Sequence, residues 1–544
     1  MHNINFRSAT WIVLAVTFLI GTFVAWEFTA DDWFITFRYS RNLAEGNGLV
    51  WNPESTNPVE GYTNVLWMLL MVVPHVLSWS PELFSKLIGL VTLLVCCATL
   101  YRYVLRKTDN HWYGIAAIGP LLFLPSSYFH SLSGLETILY AFIVLILFII
   151  GLESNPGGRD MTHKLLIFAP VTVLLAGLIR PEGLLPGTVV LFFLFRSLKR
   201  TQRRRLVGYT AAFLVLPGLV YVIWRYYYFG WLLPNTFYVK FGSAANGIEW
   251  LIGSFISIIG VVIVATFAHR FSSSFPHRLR SASYIISFLI AAILPYCVSK
   301  LMMNYMHRFL FHLMPVIMLI LALSLEMTFG KLRETGGSAA NHAYGYLIVT
   351  MCICIFPLLH GDKREVAHLA LYESHLTNAH VALAKSLKEA DMPDELKTLT
   401  LGDVGVIPYI SDWHTYDFVG LTDEVVAHDR QGKSRYIANK QPTVMILYSD
   451  DGPRPNGYQF GFEPEIMLSA YQEVAFIKWF PNYYLEVFLR RDIPAPVYAD
   501  LEQRIRAVSE SAAIKNAASD DRAGLLTRLK QRLANAPIIS LLLK

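Results

Sequence analysis

The sequence predicts a polytopic α-helical membrane protein with a smaller soluble α/β domain at its C-terminal end. Three observations lead there. Hydrophobic residues make up 54% of the 544-residue chain and charged residues only 16%, with a mean hydropathy of +0.42. A soluble chain of this length would form several domains with charged surfaces. Apolar runs of bilayer-spanning character, which need about 20 residues each, recur through residues 1–360. Beyond residue 360 the composition turns polar, with strand-like runs at 396–401 and 442–448 and helix-like patterns at 365–390 and 500–535. The expected organisation is a transmembrane domain over 1–360 and a soluble domain over 361–544.

Taken in order, the first apolar segment, residues 9–28, lacks a small-residue cleavage site before Glu27 and reads as a retained anchor helix. Further spans are expected near 82–104, 112–130, 135–151, 165–179, 184–196, 206–226, 248–267, 283–299, 309–329 and 344–360, eleven in all. The run at 65–79 is too short to cross, and counting it would invert every later loop. Charge decides the matter. With eleven spans and the N-terminus inside, the cytoplasmic loops hold seventeen Lys and Arg and the outer loops six, the asymmetry expected of inside-positive topology. Residues 65–79 then lie along or partly into the outer face, as an interfacial or re-entrant helix, within a first outer loop of residues 29–81. The net charge of +6 gathers in cytoplasmic loops and suggests no nucleic-acid partner. All five cysteines sit in apolar spans, so no disulfide framework is implied. No metal-ligand spacing is present. No metal or cofactor is therefore expected to be required, with a divalent cation left open.

The outer loops differ in kind from the basic cytoplasmic ones. In the first, Asp31 and Asp32 follow directly on an apolar span, Arg38 and Arg41 are spaced for one side of a short helix, and Gly46, Gly48, Pro53, Pro58 and Gly61 break the chain into turns. Aromatic residues run throughout, more than a connector needs, and ionisable groups at a membrane face are costly unless they have a function. Later outer loops carry Ser133-Gly134-Leu135-Glu136, Arg180-Pro181-Glu182-Gly183, residues 234–240 with Asn235, Tyr238 and Lys240, and His307-Arg308. In the soluble part, residues 402–409 (GDVGVIPY) read as a strand end entering a Gly-punctuated turn, with Asp403 either a ligand contact or a turn cap. Plainer alternatives stand beside each: Arg180 with Glu182 as a structural pair, Glu136 capping its helix, Arg308 anchoring at headgroups.

If these groups converge on one outer cavity, the carboxylates supply a general base. The cations Arg38, Arg180, Lys240 and Arg308 would grip an anionic phosphate, Arg as a fork and Lys as a point charge. A base plus a phosphate clamp at a membrane face suits transfer of a group from a lipid phosphate to a hydroxyl. No nucleotide-sugar pool exists outside the cytosol, so a lipid-borne donor fits the compartment.

Residues 31–53 (DDWFITFRYSRNLAEGNGLVWNP) and 59–67 (VEGYTNVLW) resemble the first outer loop of bacterial GT-C glycosyltransferases related to the mycobacterial terminal β-1,2-arabinofuranosyltransferase. SGLET at 133–137, RPEG at 180–183, PNTFYVK at 234–240, RFLFHLMP at 308–315, GDVGVIPY at 402–409 and GLTD at 420–423 resemble the same family in order. The resemblance implies a GT-C-like enzyme of a bacterial inner (plasma) membrane. It would use a polyprenyl-phosphate sugar, arabinofuranose among the candidates, with the active site and C-terminal domain on the periplasmic side. A carboxylate of the first outer loop is catalytic across that superfamily, which points to Asp31 first and Asp32 second. It further implies Lys240 and Arg180, with Arg38 and Arg308, at the donor phosphate. Glu136, Glu182, Asn235, Tyr238, Glu60, Tyr62 and Asp403 would lie around sugar or acceptor. The implied acceptor is an envelope polysaccharide or glycolipid hydroxyl; a pilin or other secreted protein is the alternative. Beyond about residue 430 the resemblance ends. A lipid-linked sugar transporter is the reading from another class; it would place charges at the midplane and break helices in repeated halves, neither of which the spans show.

Overall fold

The computed structural model of the chain describes residues 6–55, 57–154, 162–241, 275–299, 301–335, 363–450, 459–480 and 482–520. Helix α1 (Phe6–Ala25) leaves Trp11, Ile12, Val16, Leu19 and Ile20 uncovered, the surface a helix presents when lipid is its solvent. It ends just before Asp31 and Asp32, and α2 (Trp33–Ala44) follows at once, burying Trp33, Phe37, Arg38 and Tyr39. Helix α3 (Val65–Val76) has 12 residues, about 18 Å at 1.5 Å per residue. It is too short to cross. It packs Trp67, Met68 and Met71 inward and leaves Val76, Leu77 and Trp79 exposed, as expected of a segment lying at an interface.

Helix α4 (Pro81–Thr108) shows why a long span forms here. The Ser80 hydroxyl accepts the Leu83 N–H, Pro81 opens the helix, and Arg106 and Lys107 sit in its last turn. Its Gly89 lies against the Ser131 backbone, where any Cβ would collide, so α4 and the short helix α6 approach closely. Helix α5 (His111–Phe123) meets α6 (Pro125–Leu132) at a 65° bend, where Pro125 interrupts the helical hydrogen-bond ladder. Helices α7 (Thr137–Glu153), α8 (His163–Ile179) and α9 (Leu184–Ser197) complete the packed bundle. Helix α10 (Arg200–Thr210) runs through a π turn at Ala211–Val215 into α11 (Leu216–Phe229), and α12 (Asn235–Lys240) is a short helix of six residues.

Among the described residues, three helices are long and apolar enough to cross a bilayer, or five if each bent pair is one span. The eleven spans expected from hydropathy are not reached on length. Helices α7 and α8 have 17 residues each, about 26 Å, because each stops at a polar loop motif: α7 begins after Glu136 and α8 ends at Arg180-Pro181. The expected spans at 248–267 and 344–360, and the domain boundary at 360, lie outside the described residues.

The C-terminal part, expected to be soluble, is built on a five-stranded mixed sheet of order β2-β1-β3-β5-β4. The strands are β1 (Thr398–Leu401), β2 (His414–Asp417), β3 (Val444–Ser449), β4 (Tyr471–Phe480) and β5 (Tyr483–Arg490). The expected strands at 396–401 and 442–448 are β1 and β3. They run parallel to each other, and β3 is antiparallel to β5. Every residue of β3 is buried, as in a central strand covered on both faces. From the end of β1, Gly402 to Gly405 leads into the helix Val406–Ser411, which docks on α2. There Arg38 donates to the carbonyls of Trp51, Pro408 and Trp413, and Arg41 donates to that of Tyr409 and pairs with Asp412. The two arginines do share one side of a short helix, and that side grips the soluble part.

Candidate active site

The loop motifs bring five charged side chains together where α2, α7, α8 and the segment before Phe309 meet. Arg180 Nε lies 2.7 Å from Glu182 Oε1, and its Nη1 lies 3.5 Å from Glu136 Oε1. Arg308 reaches the same Glu136 oxygen at 3.7 Å and Asp32 Oδ2 at 3.8 Å. Asn64, from the segment before α3, donates to the other Glu136 oxygen at 2.9 Å, and the Tyr296 hydroxyl donates to Glu182 at 2.8 Å. Arg180 and Glu182 hold each other in the charged state. Burial alone would push the Glu182 carboxyl up, but the Arg180 guanidinium and the Tyr296 hydroxyl bring it below its ordinary value.

The two arginines are not equivalent. Arg180 is saturated by carboxylates. Arg308 is as buried, its side chain 9% exposed, yet makes no hydrogen bond among the described residues; its Nε is fully enclosed without a partner. A buried guanidinium left without hydrogen bonds is unusual and costly. Lys240 lies in the same field. Burial lowers its proton affinity; Asp32 and Glu136 oppose that, while Arg308 and Arg180 add to it. No hydrogen bond or ion pair to a described residue engages its ammonium. Asp32, 28% exposed, is the most open member of the cluster.

Lys240 is positioned from across the molecule. Its helix α12 docks on Glu424–His428 of the soluble part: Trp231 stacks on His428 with ring centroids 3.5 Å apart and donates to Glu424 at 2.6 Å. Arg430 donates to the carbonyls of Tyr238 and Val239 in the last turn of α12, where a cation is favourable. The Tyr238 ring rests on His428, centroids 4.3 Å apart. Asn235 donates its N–H to the Glu60 carbonyl at 3.0 Å, while its side-chain nitrogen is buried without a partner.

Asp31 and Asp32 face different surroundings. Asp31 is 5% exposed and its Oδ1 accepts the Val406 N–H at 2.8 Å. A Cβ on Gly405 would collide with the Asp31 carboxylate, so only glycine lets the β1 turn wrap it this closely. Burial, and the Asp403 carboxylate beyond it, raise the Asp31 carboxyl well above its ordinary value, opposed by the Val406 N–H. Asp403 is in turn bonded by Tyr483 Oη at 3.1 Å and lies 3.3 Å from His380 Nε2. One carboxylate thus looks towards the soluble domain and its neighbour towards the cations.

Three candidates stand outside both groups. Arg38 spends its donors on the docking contacts above. Glu60 is buried against Arg225 and Tyr221 of α11. Tyr62 packs edge-on against Tyr39 at 4.8 Å. Sequence reasoning missed Asn64, Tyr296 and Arg430; Asn64 lies within the YTN of the first-loop motif, whereas Tyr296 and Arg430 lie in stretches that give no signal.

A family model described as a domain of unknown function (DUF8728) matches residues 367–497. The terminal β-(1→2)-arabinofuranosyltransferase of Mycobacterium tuberculosis is 29% identical over 262 residues, 45% of this chain and 40% of that protein. The match therefore spans less than half of the relative's length. ArnT from Cupriavidus metallidurans, solved bound to undecaprenyl phosphate, superposes with a TM-score of 0.53 at 14% identity, over 89% of this chain and 98% of that one. The chain has the ArnT fold. ArnT in its apo state superposes equally, with a TM-score of 0.53 at 16% identity over 88% of this chain and 98% of that one. The family resemblance carried by the loop motifs is borne out by these matches.

Proposed function

We propose that this chain is a membrane glycosyltransferase. It moves a sugar, with arabinofuranose the first candidate, from a polyprenyl-phosphate donor to a hydroxyl of an envelope glycan at the outer face of a bacterial inner membrane. The observation that carries the reading is the buried, hydrogen-bond-free Arg308 beside the uncommitted Lys240. Together they offer a forked and a point donor to one phosphate. The kinship with the arabinofuranosyltransferase and the ArnT fold support the chemistry, and the Lys and Arg asymmetry of the loops supports the eleven-span, outer-face topology.

In this reading Asp31 takes the proton from the acceptor hydroxyl, whose oxygen then attacks the anomeric carbon. The bond from that carbon to the phosphate oxygen breaks, and polyprenyl phosphate leaves with the added negative charge. Arg308 and Lys240 stabilise that charge where it develops. Asp32 faces the same cations and lines the open side. The reaction so written requires only the lipid-linked donor and the acceptor hydroxyl. Arg180 we assign to holding Glu136 and Glu182 in place rather than to the phosphate. Arg180→Ala would leave the partly buried Glu182 without its ion-pair partner and Glu136 with Arg308 and Asn64 alone, and is expected to cost about 3–5 kcal/mol of stability, read as a large drop in the melting temperature of the detergent-solubilised protein.

Asp31 in its raised state is protonated, and inactive as a base, at pH values where an ordinary carboxyl is already charged. Sugar transfer is expected to fall as pH drops through that raised value. Asp403→Asn removes one of the two main causes of the rise, so the acid limb of kcat/KM moves to lower pH. An unmoved acid limb removes Asp31 as the titrating base. The function itself is tested by mass analysis of surface polysaccharide and pilin from cells lacking the protein. Loss of a pentose from the glycan supports the reading, and loss from pilin alone replaces the acceptor.

A further inference from the structure

We propose that Glu365 is a positioning residue for the donor-phosphate site, acting through the strained turn that delivers Arg308. The proposal rests on the reading of Arg308 given above. Nine non-glycine residues among those described have positive φ, and three of them lie within five positions: Met303 (φ 58°), Met306 (φ 48°) and His307 (φ 54°). Left-handed backbone at non-glycine residues persists only where the surroundings over-determine it, and it gathers at functional sites. Here the last two come immediately before Arg308.

The restraints on the turn can be named. The Met306 N–H donates to Glu365 Oε1 at 2.6 Å. The Met306 carbonyl is held by His130 Nε2 at 3.2 Å, from a ring buried between Tyr305 and Phe311. Asn304 Oδ1 accepts the Phe309 N–H at 3.2 Å, closing the loop over the strained pair. Of these partners, His130 and Asn304 belong to the membrane part, whereas Glu365 sits near the start of the helix Lys363–Leu376 that leads into the soluble part. A cavity of about 30 Å³, bordered by Ser126, Met306, His307 and Glu365, lies beside the turn and gives it room to relax once Glu365 is removed. Two turns further along the same helix, on the same face, the Tyr372 hydroxyl accepts the Asp31 N–H at 3.4 Å. One helix therefore braces both the cation element and the carboxylate element.

The test measures binding of undecaprenyl phosphate to the detergent-solubilised full chain, with a melting curve for each variant. Glu365→Ala is expected to weaken binding about tenfold, because the turn relaxes and Arg308 is displaced. Glu365→Gln keeps an acceptor oxygen for the Met306 N–H and should stay within about threefold of the parent. In the Glu365→Ala background, Met306→Gly should recover most of the loss, since glycine takes the left-handed conformation without strain and needs no brace. Unchanged binding in Glu365→Ala overturns the proposal. So does equal loss in the Ala and Gln variants with no recovery by glycine, which would make Glu365 a contributor of charge or bulk. Arg308→Ala separates the two levels: if it leaves binding intact, the reading of the site fails. If it abolishes binding while Glu365→Ala does not, only the positioning role fails.

Discussion

Asp31→Asn is expected to lower sugar transfer by about 10²- to 10⁴-fold, the contribution of a positioned general base, while the protein still inserts and accumulates. Asparagine keeps the shape and can still accept the Val406 N–H, so the turn from Gly402 to Gly405 has no steric reason to move. It cannot take up a proton. Because burial and Asp403 already disfavour the charged carboxylate, the neutral amide should be tolerated or stabilising, and a normal melting curve would accompany the loss of activity. Asp32→Asn serves as the comparison. It removes a charge facing Arg308 and Lys240 but leaves the base, so a smaller loss, mainly in donor KM, is expected. If Asp32→Asn is the dead variant and Asp31→Asn is active, the base is the neighbouring residue. Full activity in both would sink the mechanism.

Much of this arrangement is legible in the sequence where chemistry is local. Adjacent carboxylates after an apolar run, Gly-punctuated turns and compact mixed-charge loops mark the site elements, and the alternating or continuous apolar runs mark β1 and β3. Failure came where a partner lies far away along the chain. Arg38 reads as a free cation in its loop, yet its donors go to Pro408 and Trp413, some 370 positions on. Glu60 reads as a site carboxylate because Arg225, its partner, is hidden in an apolar helix 165 residues later. Span geometry was hidden for another reason: hydropathy does not see that Pro125 bends a span by 65°, nor that polar motifs end α7 and α8 early. The backbone conformation at Met306 has no sequence signature, since methionine does not favour it; only the fold that surrounds it does.

Arg308→Ala should separate activity from stability in the direction opposite to Arg180→Ala. Arg308 is buried, sits 3.7–3.8 Å from two carboxylates and makes no hydrogen bond to a described residue, so the folded state gains little from it. Glu136 keeps Arg180 and Asn64 when Arg308 is gone, and Asp32 is open enough to be solvated. Melting temperature is therefore expected to hold or rise. Turnover should fall by about 10²- to 10³-fold, the usual loss when one preorganised donor to a developing anion is removed. Arg308→Lys should recover only part, because a shorter point charge cannot fork onto two phosphate oxygens. A group that stabilises the leaving phosphate more than the resting protein has to be held partly unsatisfied before substrate arrives, and sites of this kind trade stability for function. If Arg308→Ala instead melts like Arg180→Ala and binds undecaprenyl phosphate normally, Arg308 is a structural ion-pair partner and the phosphate seat lies elsewhere.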